Sequence, residues 1–168
     1  MSKSKKCPTC GAELVTKRED YLYDESGLPI MLVGIDVRHC STCKTVAPLI
    51  PNIEGLHRSI ARIIIEQKAA LSGAEIRFLR TYLGFRATDF ASIMGVTKET
   101  VSRWENDAIR MGSVADRALR LLVQTRNPVS DYAPEALDAL LRNIGEETAA
   151  FKLRIERRGG GWAASAAA

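Results

Sequence analysis

The sequence predicts an α+β protein in which a small β-rich N-terminal lobe is joined by a connecting helix to an all-α lobe of five helices. Two observations define the first lobe: the four cysteines form two Cys-x-x-Cys pairs, and the residues between the pairs alternate as strands do. Apolar residues at helical spacing after Pro51 predict helices in the rest. We expect the lobes at residues 1–50 and 73–145, the connecting helix at 51–72 and an extension at 146–168.

The first lobe contains all four cysteines, Cys7, Cys10, Cys40 and Cys43. In an intracellular chain such pairs indicate a tetrahedral thiolate site, because disulfides are disfavoured there. We predict one structural Zn²⁺ per chain, with no coordination position open for catalysis. A rubredoxin-like iron site and a redox dithiol are the alternatives. His39 could in principle replace a cysteine, but four cysteines already complete the set.

Two strand-like segments, LVTKREDYLY and PIMLVGIDVRH, lie between the cysteine pairs and are separated by the turn-like DESGLP. Fifty residues bury little apolar surface, so we expect the metal ion to stabilise this small sheet. Pro48 and Pro51 then mark a boundary. The connecting helix that follows has apolar residues at helical spacing, which are Leu56, Ile60, Ile63, Ile64 and Leu71.

The all-α lobe begins with Ser72 and Glu75, which form a capping-box pattern. Two short amphipathic helices follow at residues 87–94 and from Lys98 onward, separated by Gly95 and by Thr97 as the expected N-cap. Two short helices joined by a tight turn are typical of a helix-turn-helix, and a helical hairpin inside some other α-helical domain is the alternative.

The outward face of the second short helix is polar, because Val101 and Trp104 turn inward and Trp104 is expected to fill the core. This face predicts contacts with double-stranded DNA. We assign base contacts to Lys98, Glu99 and Ser102, and backbone or mixed contacts to Thr97, Thr100 and Arg103. Arg86, at the entry to the preceding helix, is a candidate for a phosphate contact.

The end of the chain is less informative. Ser113 and Asp116 repeat the capping pattern and open a helix whose expected apolar side consists of Val114, Leu119, Leu122 and Val123. A last helix is expected from about residue 134 to Gly145. The final residues have little to bury, so we expect the extension at 146–168, which includes Trp162, to be partly disordered.

Residues 83–107, LGFRATDFASIMGVTKETVSRWEND, resemble the helix-turn-helix of the phage-repressor and Cro superfamily. The resemblance implies a five-helix DNA-binding domain in which Arg80 pairs with Glu105. Two residues depart from the usual pattern: Ala87 stands where a glutamine is usual, and Asp107 where a glycine is usual.

The order of CPTCG, CSTCK, a proline boundary and GAEIRFLR is similar to that of the MqsA or YgiT-type antitoxins of bacterial toxin-antitoxin pairs. The resemblance implies a cytoplasmic bacterial homodimer that represses its own operon through the helix-turn-helix. It also implies that the zinc lobe binds a small ribonuclease toxin. A zinc-containing helix-turn-helix regulator without a toxin is the alternative.

Composition and motifs argue against other classes. A net charge of +4 is modest for a DNA-binding protein, so phosphate contacts must be specifically placed. There is no run of eighteen apolar residues and no signal-peptide pattern at the start, so we expect a cytoplasmic protein. No acid–base pair in a pocket-like context and no glycine-rich phosphate loop is evident, which disfavours an enzyme.

Overall fold

The structure is a computed structural model that describes residues 6–126 and 153–165. The chain divides into two compact units. One comprises Met1–Tyr23, Pro29–Gly55 and Lys152–Ala168, and the other comprises Asp24–Leu28 and Leu56–Phe151. The prediction of an α+β protein with a β-rich N-terminal part and helices after it is confirmed. No helix within the described residues is long and apolar enough to cross a membrane.

The first unit is built on a five-stranded sheet. Its strands are β1 (Leu14–Tyr23), β2 (Ile30–Cys40), β3 (Val46–Pro48), β4 (Leu153–Arg158) and β5 (Gly161–Ala164). The order β1-β2-β4-β5 follows hydrogen bonding, and β3 pairs with β2 beside β4. Ile30, Leu32 and Val37 of β2 are fully buried in the core, and the alternation of buried and more exposed residues shifts by one position between Leu32 and Ile35.

Strand β2 has three neighbours. It pairs antiparallel with β1, with an irregularity between Glu19 and Tyr21, and antiparallel with β3 through residues 37–39. Its first half, Ile30–Val33, pairs in parallel with residues 153–156 of β4. Strands β4 and β5 form a hairpin around Gly159 and Gly160, which both have positive φ. The C-terminal hairpin is therefore an integral part of the N-terminal sheet.

Within the C-terminal extension expected to be partly disordered, Leu153–Arg158 and Gly161–Ala164 form strands β4 and β5. Ile155 of β4 is fully buried, and Trp162 of β5 is 8% exposed. The indole nitrogen of Trp162 donates a hydrogen bond to the carbonyl of Asn52 at 3.3 Å. Arg154 also forms an ion pair with Asp20 at 2.8 Å. The segment has little to bury by itself, but the edge of β2 supplies both its hydrogen bonds and its apolar surface.

The second unit contains helices α1 (Ile53–Glu66), α2 (Gly73–Tyr82), α3 (Ala87–Met94), α4 (Lys98–Glu105) and α5 (Ser113–Arg126). From Leu56 onward, α1 belongs to this unit rather than forming a separate link, because Leu56, Ile60 and Ile64 are fully buried. The last helix expected near residues 134–145 lies outside the described residues.

Two details of α5 differ from the sequence prediction. Val114, expected on the apolar side, is 79% exposed. Asp116, expected to cap the helix, is buried and accepts hydrogen bonds from the amide of Leu71 and from Arg120. The helix is rotated so that this charged pair, with Leu119 and Val123, faces the core.

Candidate metal centre and nucleic-acid interface

The four cysteine sulfurs converge at one place in the first unit. All four Sγ atoms lie within 4.8 Å of one another. The Cys7 and Cys43 sulfurs are 3.5 Å apart, and those of Cys10 and Cys40 are 3.4 Å apart. Four sulfurs at about 2.3 Å from a zinc ion form a tetrahedron with edges of about 3.8 Å. The cluster therefore fits one metal ion and matches a structural zinc site.

Two loops of matching geometry present the sulfurs. In each, the amide of the first cysteine donates to the carbonyl five residues later, and the amide four residues later donates back to the cysteine carbonyl. These bonds are Cys7 N to Ala12 O (2.7 Å), Gly11 N to Cys7 O (2.9 Å), Cys40 N to Thr45 O (2.9 Å) and Lys44 N to Cys40 O (3.1 Å). The turn needs a positive φ, which is 73° at Gly11 and 61° at Lys44. The second loop therefore repeats the first without its glycine.

Hydrogen bonds around the sulfurs lower the pKa of two of the four thiols, Cys43 and Cys7. The Thr45 hydroxyl, 3.0 Å from the Cys43 sulfur, and the Thr45 amide lower the pKa of Cys43 to about 6. The amides of Cys10 and Thr9 lower the pKa of Cys7. The Ala12 amide lowers the pKa of Cys10, but the neighbouring sulfurs and burial outweigh it and raise that pKa to about 12. A metal ion that binds all four thiolates must therefore displace the proton of Cys10.

His39 is not part of the cluster, although it precedes Cys40. Its Nε2 atom lies 2.8 Å from a carboxylate oxygen of Glu19 on the neighbouring strand β1. The alternative in which His39 replaces a cysteine ligand is therefore unnecessary, since four sulfurs are already together.

The helix-turn-helix forms between α3 and α4 as the local sequence requires. Gly95 ends α3 in the left-handed conformation with φ of 67°, and Val96 N donates to Ala91 O at 2.9 Å. The Thr97 hydroxyl accepts from the amide of Thr100 at 3.2 Å, so Thr97 is the N-cap of α4. Val101 is fully buried and fixes the inner face of α4.

The C-terminal end of α4 is fixed by ion pairs to α2. The Arg80 Nε atom lies 2.5 Å from a carboxylate oxygen of Glu105, so the pair implied by the resemblance is present. Arg77 contacts the same carboxylate at 3.3 Å and also donates to the Asn106 side chain at 3.0 Å. A Cβ atom at Gly73 would lie 2.6 Å from the carbonyl oxygen of Trp104, so only glycine permits this approach of α2 to α4.

The chain matches, over residues 5–130, the family described as the antitoxin component of bacterial toxin-antitoxin systems, MqsA. The chain belongs to this family. No curated protein matches the chain. The match covers the cysteine cluster and all five described helices, whereas the C-terminal hairpin lies beyond it. The family is one of regulatory, non-enzymatic proteins, and an antitoxin has a toxin as its partner.

The residues predicted to contact DNA lie on α4 and at the starts of α3 and α4. Lys98, Glu99, Ser102 and Arg103 are exposed on α4, while Thr100 is half-buried. Its own backbone amide and the Thr97 hydroxyl hold the pKa of Glu99 below its usual range, so Glu99 presents a carboxylate. Two further predicted contacts lie at helix starts: Thr97 caps α4, and Arg86 is the exposed N-cap residue of α3, without a side-chain cap bond.

Several structurally important residues were not identified from the sequence. Asp107 adopts a positive φ of 53°, and its side chain accepts from the Gly73 amide at 2.6 Å. Asp107, which stands where the resembled superfamily usually has glycine, therefore caps the start of α2. Thr45 beside the Cys43 sulfur and Arg77 beside Glu105 were also missed. For Asp107 a signal existed, because asparagine and aspartate tolerate the left-handed conformation better than other residues do.

Proposed function

We propose that this antitoxin is a sequence-specific transcriptional repressor whose α4 helix enters the major groove of operator DNA. The observation that carries the proposal is the division of α4 into two faces. Val101 and Trp104 are buried on one face, while Lys98, Ser102 and Arg103 are exposed on the other. The ion pair between Arg80 and Glu105 holds the helix end in place. A helix with this face matches the geometry of a recognition helix.

Individual contacts follow from the chemistry of each side chain. Lys98 can donate to guanine acceptors, Glu99 can accept from a cytosine amino group, and Ser102 can contact either kind of edge. Arg103, Thr97 and Thr100 are proposed to contact the sugar-phosphate backbone or to make mixed contacts. Arg86 is proposed to bind a phosphate at the start of α3, where the first amides carry a partial positive charge.

We infer that the repressor acts as a homodimer. A single helix of eight residues reaches only a few base pairs, and helix-turn-helix proteins bind paired half-sites one turn of DNA apart. The expected operator is therefore palindromic and lies upstream of the chain's own gene. Light scattering on the purified protein measures the oligomeric state, and a monomer both free and on DNA would contradict this part of the proposal.

The DNA-binding proposal is tested with operator affinity. Fluorescence anisotropy with the upstream DNA measures the affinity of the Lys98→Ala and Arg103→Ala variants. Loss of a base contact should weaken the binding free energy by about 1–3 kcal/mol. Loss of a phosphate contact should make the affinity less dependent on salt concentration. Arg58→Ala is the matched control, because Arg58 is exposed on α1 and outside the helix-turn-helix. Equal losses for all three variants would mean that only general charge matters.

We propose that the toxin is a small ribonuclease bound by the zinc-containing unit. Exposed apolar residues in this unit support a partner surface: Val15 is 55% exposed and Val46 is 47% exposed. Both lie opposite His39 in the register of β1, β2 and β3. They therefore share one face of the sheet.

Co-purification with the protein encoded by the adjacent gene tests the proposal that the zinc-containing unit binds a toxin. Val15→Asp and Val46→Asp should reduce capture, whereas Thr16→Asp, on the opposite face of β1, should not. The captured protein should cleave RNA when freed of the antitoxin and stop cleaving when the antitoxin is restored. Capture without any RNA cleavage would keep the toxin partner and reject the ribonuclease.

A further inference from the structure

The first unit contains a cavity that the cysteine cluster and the helix-turn-helix leave unused. Its volume is about 480 Å³, which lies within the usual range of small-molecule pockets, about 300–1,000 Å³. Its apolar wall comes from three parts of the chain: β2, the segment that follows β3, and the hairpin strand β5. The apolar residues are Ile35, Leu49, Ile50, Pro51 and Trp162.

The position of the apolar wall is well defined. Ile35 and Trp162 are buried, and the amide of Leu49 donates to the carbonyl of Asp36 at 2.8 Å. The Trp162 indole nitrogen donates to the Asn52 carbonyl, which ties β5 to the segment after Pro51. The wall is thus held by hydrogen bonds at both sides, and one side is the hairpin outside the residues matched to the antitoxin family.

The polar wall has two guanidinium groups and one carboxylate. Arg18 is oriented by a hydrogen bond from its Nε to the carbonyl of Gly34 at 2.9 Å, and its terminal nitrogens remain for a ligand. Arg157 and Asp36 are exposed, and neither forms a side-chain hydrogen bond or ion pair within the described residues. Two positive charges against one negative charge favour an anion, and a guanidinium binds carboxylate, sulfonate or phosphate oxygens through paired hydrogen bonds.

We propose that this cavity binds a small amphipathic organic anion. The acidic group binds Arg157 and Arg18, and the apolar part lies against Ile50, Pro51 and the edge of Trp162. A purely apolar ligand would leave the two guanidinium groups of the lining without an anionic partner. A simple inorganic anion would leave the apolar wall uncovered.

The test uses 8-anilinonaphthalene-1-sulfonate as the probe on the zinc-loaded, full-length protein. The indole N–H resonances of the two tryptophans, Trp104 and Trp162, are followed by ¹H–¹⁵N NMR and assigned with Trp162→Phe. Saturable binding should shift the Trp162 resonance and leave that of Trp104 in place. Arg157→Ala should weaken binding about tenfold, and Arg157→Lys should weaken it less, because the charge remains but the paired hydrogen bonds do not.

Arg158→Ala is the matched control, since Arg158 is the next residue of β4, is exposed and does not line the cavity. It removes the same charge and should leave the affinity of the probe unchanged. Equal weakening by Arg157→Ala and Arg158→Ala would reduce the effect to general charge and overturn the proposal. Probe binding that shifts Trp104, or that shifts neither tryptophan, would overturn it as well. Binding of inorganic sulfate with equal affinity would reject the amphipathic ligand.

Discussion

The guanidinium of Arg120 lies 2.6 Å from the carboxylate of Asp116, one helical turn before it, and both side chains are buried. Arg120 also donates to carbonyl oxygens at and beyond the end of α1, which are those of Ile64, Ile65, Gln67 and Ala69. Asp116 accepts from the Leu71 amide. The pair thus satisfies the free carbonyls at the end of α1 and the turn that leads to α2, and holds both against α5.

Replacing Arg120 with methionine should destabilise the helical unit by about 3–5 kcal/mol, because it leaves Asp116 buried without its positive partner. Urea unfolding followed by Trp104 fluorescence, in a Trp162→Phe background, measures the change. Arg117→Met is the control: Arg117 is exposed on the same helix, and its replacement should change stability by less than about 0.5 kcal/mol. Similar small effects for both variants would show that the buried pair contributes little.

The sequence predicts local caps, turns and the metal ligands better than it predicts which charged residues are buried. The capping box of Ser72 and Glu75, the turn at Gly95 and the cap at Thr97 were predictable because each depends on residues three or four positions apart. The convergence of the two cysteine pairs was predictable because metal coordination imposes it. By contrast, an acid and an arginine four residues apart are typical of an exposed helix face, so the burial of Asp116 and Arg120 has no local signature.

The C-terminal hairpin was missed for a related reason. Gly159 and Gly160 lie between two short segments in which polar and apolar residues alternate, a pattern typical of a hairpin. The composition of the extension predicted disorder instead. Its pairing with Ile30–Val33 depends on residues more than a hundred positions earlier. A four-residue strand becomes stable only against an existing sheet edge, and the sequence does not identify that edge.

Asp107 should tolerate asparagine better than glycine or alanine. Its side chain caps the Gly73 amide at 2.6 Å while its backbone has a positive φ. Asparagine keeps both features, glycine relaxes the backbone but loses the cap, and alanine loses the cap in a strained conformation. We expect losses of about 0.5–2 kcal/mol for the cap, with alanine the most destabilised by about 1 kcal/mol more. Thermal unfolding ranks the three variants, and a stabilised Asp107→Gly would show that strain outweighs the cap.

Thr45→Val should weaken zinc binding about 10- to 100-fold, the range typical of lost hydrogen bonds to a metal ligand. The hydroxyl lies 3.0 Å from the Cys43 sulfur and, with the Thr45 amide, lowers the pKa of that thiol. Competition with a chromophoric chelator measures the affinity. Thr42→Val in the same loop is the control, since Thr42 is exposed and forms no side-chain hydrogen bond within the described residues. Equal zinc affinities of the Thr45→Val and Thr42→Val variants would mean that the Thr45 backbone amide, without its hydroxyl, accounts for the lowered pKa of Cys43.

Ile155→Ala should destabilise the zinc-containing unit by about 2–5 kcal/mol, because Ile155 is fully buried and its truncation leaves a cavity beside β2. Val15→Ala is the control, since Val15 is a β-branched residue of the same sheet that is 55% exposed. Hydrogen exchange of the β2 amides measures the local stability, and exchange of the α4 amides in the same sample shows whether the helical unit is affected. Faster exchange in β2 alone means that the hairpin stabilises only its own sheet. Unchanged exchange in β2 would contradict the structural role of the hairpin, because the loss of a fully buried side chain from a stable strand must lower the free energy of unfolding.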